Sequence, residues 1–125
     1  MPKNSMFVKW IGIIITLALG VIHLILARQE FDETPYAGVM FAAYFAASIV
    51  AAIGIYRDNR VWGWVLGFLL AASAFVGYII SRTIGLPGMG VEDWLVPMGI
   101  LSLVLDVVFI FIYYDTRRQI STSLR

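Results

Sequence analysis

Four apolar runs, at about residues 7–27, 36–56, 61–80 and 94–114, leave this chain almost no choice of fold. Each holds about 20 residues, the length a helix needs to cross a ~30 Å hydrocarbon core. In lipid the backbone must satisfy its own hydrogen bonds, so uninterrupted apolar runs of this length mean helices. The expectation is an all-α, four-transmembrane-helix bundle running up-down-up-down. Short connections make consecutive helices antiparallel neighbours. A single membrane domain over residues 1–125 then leaves no room for a soluble one.

Composition supports this. The chain is 61% hydrophobic and 14% charged, where a soluble domain carries about 25% charged residues. The missing charge predicts a surface that faces the lipid bilayer. The absence of cysteine excludes disulfides, thiolate metal sites and thiol redox chemistry. A net charge of +1 gives no reason to expect nucleic acid. Lys3 and Lys9 followed by an apolar run imitate a signal peptide. That run is long and no clean Ala-x-Ala cleavage site follows it, so it reads as a retained first span.

Lys and Arg set the expected orientation. Lys3, Lys9, Arg57, Arg60, Arg117, Arg118 and Arg125 fall on one side of the four runs. Arg28 and Arg82 fall on the other, among Glu30, Asp32, Glu33, Glu92 and Asp93. The positive-inside rule places both termini in the cytoplasm and makes the first and third loops an acidic outer mouth. The expected location is the plasma membrane, as a multi-pass protein.

Small residues recur at four-residue spacing: Gly12, Thr16 and Gly20 in the first run; Ala43, Ala47 and Ala51 in the second; Gly63, Gly67 and Ala71 in the third, followed by Ala74 and Gly77. Such stripes let helices approach closely in lipid. They predict a tight core of helices one to three. Helix four is bulkier, with Leu101, Leu103, Leu105, Phe109 and Phe111, and is expected at the periphery or against a partner.

The only histidine, His23, lies roughly 6 Å below the outer end of helix one. Met40, Tyr78 and Met98 fall within about one turn of the same depth. One imidazole and two thioethers, His23, Met40 and Met98, make a candidate metal site of the soft kind that suits Cu(I). The plainer alternative is a histidine bonded to a neighbouring carbonyl or carboxylate, with methionines filling gaps. A bis-histidine haem cannot be built from one histidine. His23, Tyr78 and Arg82 are also the candidate cofactor-binding residues for a quinone head group. The cofactor itself is unknown.

Asp106 lies mid-helix in Leu-Val-Leu-Asp-Val-Val-Phe. An ionisable group there costs several kcal/mol if charged and unpaired, so it should face the bundle. Ser48 and Ser73 lie at comparable depths and are candidate partners. A proton relay and a structural clip are equally open.

In the third loop, Gly85, Pro87, Gly88 and Gly90 form a turn-rich link, and no Gly-Lys-Ser/Thr marks a phosphate cradle. Arg82 can pair there with Glu30, Asp32 or Glu33. Thr34 and Pro35 read as a helix cap and first turn.

His23 late in helix one, then Glu33, Pro35 and Gly38 at the mouth, then Ser81-Arg82-Thr83 with Gly85, Leu86 and Pro87, resemble a group of small four-helix bacterial integral membrane proteins. The resemblance implies an architecture and brings no assigned activity. Members of that group often carry a second histidine in the first loop and a glutamate late in helix four. Here no second histidine occurs, and Asp106 stands where the glutamate would.

Three functions follow as expectations. The first is a small non-catalytic accessory protein or subunit of a larger membrane complex, with other subunits or a homo-oligomer as partners. The second is cation handling at the outer face through His23, Met40 and Met98. The third is a quinone-linked redox subunit, which lacks an electron donor of its own. No nucleophile pairs with His23 at helical spacing and no carboxylate pair marks a pocket, so no catalytic residue is assigned and a hydrolytic enzyme is not expected.

Overall fold

The computed structural model describes residues 4–88, 90–91 and 96–123. These form α1 (Asn4–Glu33), α2 (Pro35–Tyr56), a π-helical turn (Arg60–Val65), α3 (Leu66–Thr83) and α4 (Pro97–Ser123), with no strand among the described residues. Four segments are long and apolar enough to cross a membrane: Met6–Arg28, Pro35–Tyr56, Arg60–Thr83 and Pro97–Thr116. Large apolar side chains such as Phe7, Ile14, Val39, Ile53, Leu69, Val104 and Phe111 point outward. A surface of that kind suits lipid, not water.

The first helix runs beyond the boundary expected for it. α1 continues past Ala27 to Glu33, leaving Thr34 alone between α1 and α2. Arg28, Gln29 and Glu30 are good helix formers, so the helix runs on where hydropathy drops. The acidic cluster therefore belongs largely to a helix end. Thr34 occupies the cap position with Pro35 in the first turn, but its side chain makes no cap hydrogen bond. The third span opens with the π turn, capped by Asn59, whose Oδ1 accepts from the Trp62 N–H at 3.0 Å. Trp94, expected to start the fourth span, lies outside the described residues, as do Glu92 and Asp93.

Two contacts tie distant parts together. Lys9 Nζ lies 3.3 Å from Asp58 Oδ1, beside the α2–α3 turn where Asp58 itself takes φ 57°. The Tyr36 hydroxyl donates to the Pro87 carbonyl, joining the start of α2 to the link after α3. These mark two ends of the molecule, the Asp58 end and the Pro87 end.

The Asp58 end is packed solid. Ile13, Ile15 and Leu19 of α1 meet Ala52 and Ile55 of α2, Ala71 of α3 and Phe109 of α4. Gly54 and Gly63 bring backbone against backbone: a Cβ on Gly54 would lie 2.4 Å from the Trp62 carbonyl, and one on Gly63 would lie 2.5 Å from the Ile55 nitrogen. Gly63 lies within the π turn, so that turn carries the close approach to α2. Gly67 receives Phe109, whose ring would sit 2.5 Å from an added Cβ.

Helix four is the least buried of the four spans, as its bulk predicts, yet two of its residues lie deep inside. Phe109 and Asp106 are each 1% exposed. α1 packs most closely on α2, and α4 bridges α3 and α1. The core expected from helices one to three takes in Phe109 of α4 as well, for a physical reason. A glycine groove in lipid gains dispersion contacts only when something fills it. Phe109, the bulky residue, fills the groove at Gly67.

Candidate ligand cavity

The Pro87 end is hollow. A cavity of about 360 Å³ opens there between all four helices. Its origin lies in α3, where Ser73, Ala74, Gly77 and Ser81 line one wall and supply almost no volume. The small-residue stripe thus changes role along its length. Gly63, Gly67 and Ala71 are buried against neighbours, whereas a Cβ on Gly77 would meet nothing within 4 Å. Ala74 and Gly77, expected to pack against another helix, instead make room.

The other walls carry chemistry. α1 contributes His23, Leu26 and Glu30, and α2 contributes Met40, Phe41 and Tyr44. From α3 come Tyr78 and Arg82, and from α4 Met98, Gly99 and Ser102. Apart from the adjacent pairs Met40–Phe41 and Met98–Gly99, these residues recur along each helix at three- or four-residue spacing, which places them on one face. His23, Met40, Tyr78, Arg82 and Met98, singled out from sequence by depth, share this one cavity.

His23 is buried and held rigidly. Its Nδ1 donates to the Leu19 carbonyl at 2.7 Å. A carbonyl only accepts, so the ring hydrogen sits on Nδ1 and Nε2 keeps its lone pair in the neutral ring. The Tyr44 ring stacks on the imidazole at 3.7 Å between centroids, and Phe41 packs edge-on at 5.5 Å.

At the mouth, the Arg82 guanidinium lies 3.9 Å from the centre of the Tyr78 ring and donates to Ser81 Oγ at 2.7 Å. Gly99 on α4 provides the notch for this stack: a Cβ there would lie 2.7 Å from Arg82 Nη2 and 2.9 Å from the Tyr78 ring. Glu30 stands on the same wall system, with Asp32 exposed on α1. The Glu33 side chain, with Glu92 and Asp93, lies outside the described residues.

The intramembrane polar residues separate. The Ser48 hydroxyl donates to the Phe45 carbonyl at 2.7 Å and that of Ser73 to the Leu70 carbonyl at 3.0 Å. Neither clips Asp106. A serine in a helix satisfies itself on the preceding turn, which removes any need for the acid. Both Asp106 oxygens, and the Tyr44 hydroxyl, are buried without a hydrogen-bond partner.

Sequence reasoning passed over Tyr44, Phe41, Gly99 and Ser102. A signal existed: Met40-Tyr44-Ser48 and Met98-Ser102-Asp106 are polar or polarisable stripes at four-residue spacing on otherwise apolar helices.

Comparison of the chain with protein families, with curated proteins and with solved structures found no match, so the motif resemblance stands by itself.

Proposed function

We propose that this chain is a small non-catalytic multi-pass protein of the plasma membrane that holds a small, mostly apolar molecule in the cavity at its Pro87 end. It would do so as an accessory protein or subunit of a larger assembly. The observation that carries this reading is the cavity: about 360 Å³, apolar for the most part, with polar side chains converging from four helices. That combination is the ordinary form of a small-molecule site. An up-down-up-down path is supported by the Lys9–Asp58 and Tyr36–Pro87 contacts, which join alternate ends of the spans. Cytoplasmic termini are supported by the Lys and Arg bias, which makes the Pro87 end the outer one.

Gly77→Phe tests the ligand role. The open space beside Gly77 accepts a ring, so the variant should fold and lose the molecule. Native mass spectrometry after mild detergent extraction reads this. A bound mass retained equally by wild type and Gly77→Phe would place the ligand elsewhere. A lone monomer with no co-purifying protein would count against the subunit role.

A soft cation is the second reading, favoured by one observation. The Nδ1 hydrogen bond leaves Nε2 as the only imidazole lone pair, and Met40 and Met98 share the cavity. A backbone partner of this kind fixes the tautomer of metal-binding histidines. Among the described residues no three His, Asp or Glu side chains cluster at metal-holding distance, so the thioethers would have to complete the site. Competition for Cu(I) against a chromophoric chelator should weaken in both His23→Ala and Met98→Leu. An unchanged affinity in either variant rules out the mixed site.

A further inference from the structure

One buried polar group on the cavity wall and one a turn beyond it hydrogen-bond nothing. Asp106 is 1% exposed and neither carboxyl oxygen has a partner. The Tyr44 hydroxyl is likewise unpartnered and lies within electrostatic reach of that carboxyl. Tyr44 and Ser102 both line the cavity, and Asp106 follows Ser102 by one turn, about 6 Å, on the same face of α4. Buried polar groups are nearly always bonded within a protein, and exceptions call for a ligand or a function. An acid at this depth is a functional site by default.

The geometry points to an organic monocation as the molecule held in this cavity, a small ammonium with apolar substituents, with Asp106 as its counter-charge. The inference rests on the cavity being a ligand site and names the ligand's chemistry. The walls suit that class. Phe41 and Tyr44 add aromatic rings to the wall, and such rings attract a cation, while Leu26, Met40 and Met98 cover apolar substituents. At one turn's separation in a low-dielectric interior, a full negative charge is strongly felt without direct contact.

A carboxylate without a partner here is unstable, so the empty site keeps its proton. When the cation enters, that proton leaves through the mouth to solvent, and the charge of the site is unchanged. The other titratable groups around the cavity are His23 and Glu30 on α1, Tyr44 on α2, and Tyr78 and Arg82 on α3. The Arg82 cation is stacked on Tyr78 at the mouth, away from the Asp106 end.

The test uses the full chain in mild detergent with two probes of one shape: benzyltrimethylammonium and its neutral isostere neopentylbenzene. The quaternary charge is permanent, so any pH dependence belongs to the protein. Calorimetry between pH 6 and 9, in two buffers of different ionisation enthalpy, should show cation affinity rising by up to about tenfold per pH unit. Close to one proton should be released per cation at the acid end. Asp106→Asn should lose tenfold or more in cation affinity and keep the neutral probe, which also shows that the variant is folded. If that variant fails to fold, wild-type proton release decides. Equal, pH-independent binding of both probes, or cation binding undiminished in Asp106→Asn, overturns the inference and leaves the cavity reading standing. If neither probe binds wild type, the cavity reading falls and takes this one with it.

Discussion

The Tyr44 ring lies flat on the His23 imidazole, 3.7 Å between centroids and 14° between planes. This contact joins α1 to α2 at the level where the packed half of the bundle gives way to the hollow half. The imidazole is also bonded to the Leu19 carbonyl, so both rings are positioned before any ligand arrives. Such preorganisation lowers the entropy cost of binding.

Tyr44→Phe keeps the stack and removes a buried hydroxyl that bonds nothing. Its stability should match wild type or exceed it by up to about 1 kcal/mol. Tyr44→Leu should lose about 1 kcal/mol beyond its area change, the worth of an aromatic pair. Thermal unfolding in one detergent compares the three.

The Gly54–Gly63 approach admits no side chain. Alanine at either position drives a Cβ to within 2.4–2.5 Å of backbone atoms, where no rotamer change helps. Each variant should lose about 3 kcal/mol or more, the range of severe overpacking. Gly77→Ala, with open space at its Cβ, should be within about 1 kcal/mol of wild type. A mild Gly54→Ala in the same unfolding assay would show that the α2–α3 turn is looser than described.

Asn59→Ala removes the side-chain cap on the π turn. The expected cost is about 1 kcal/mol. Asn59→Asp restores an acceptor and should recover most of it. Reversible denaturation of the three proteins checks the order.

Asp106→Leu exchanges an unpartnered acid for an apolar side chain of the same branching and somewhat greater volume. The fold should gain about 1–3 kcal/mol, the penalty released when an unsatisfied buried group is removed. Function would suffer while stability rose, as happens where a site is kept at the fold's expense. A clear loss of stability on unfolding in mixed micelles would mean that the carboxyl supports the fold.

Because the natural chain lacks cysteine, single cysteines report sidedness without background. Asp32→Cys and Asp58→Cys should react with an impermeant maleimide from opposite faces of sealed vesicles. Labelling of both from one face would refute the up-down path.

Much of the fold was legible because lipid constrains each segment separately. Runs of about 20 apolar residues must be helices whatever their neighbours do. His23, Met40, Tyr78, Arg82 and Met98 could be placed at one end from depth alone, since rise per residue is constant. Depth does not say which face a residue takes, and so Tyr44 and Gly99 were passed over. The stripe from Gly63 to Gly77 could not reveal that its first half packs and its second half opens. Helix four looked outward by bulk and is the least buried span, but bulk did not single out Phe109 as the plug of the Gly67 groove.

The sequence by itself determined four helical spans with polar groups gathered toward one end, because burying backbone in hydrocarbon is a local requirement that each run meets alone. Only the tertiary structure decided that one end is solid and the other hollow, that His23 lies under Tyr44, and that Asp106 bonds neither Ser48 nor Ser73. Empty volume and unmet hydrogen bonds are properties of the space between helices, and they exist only once all four have packed.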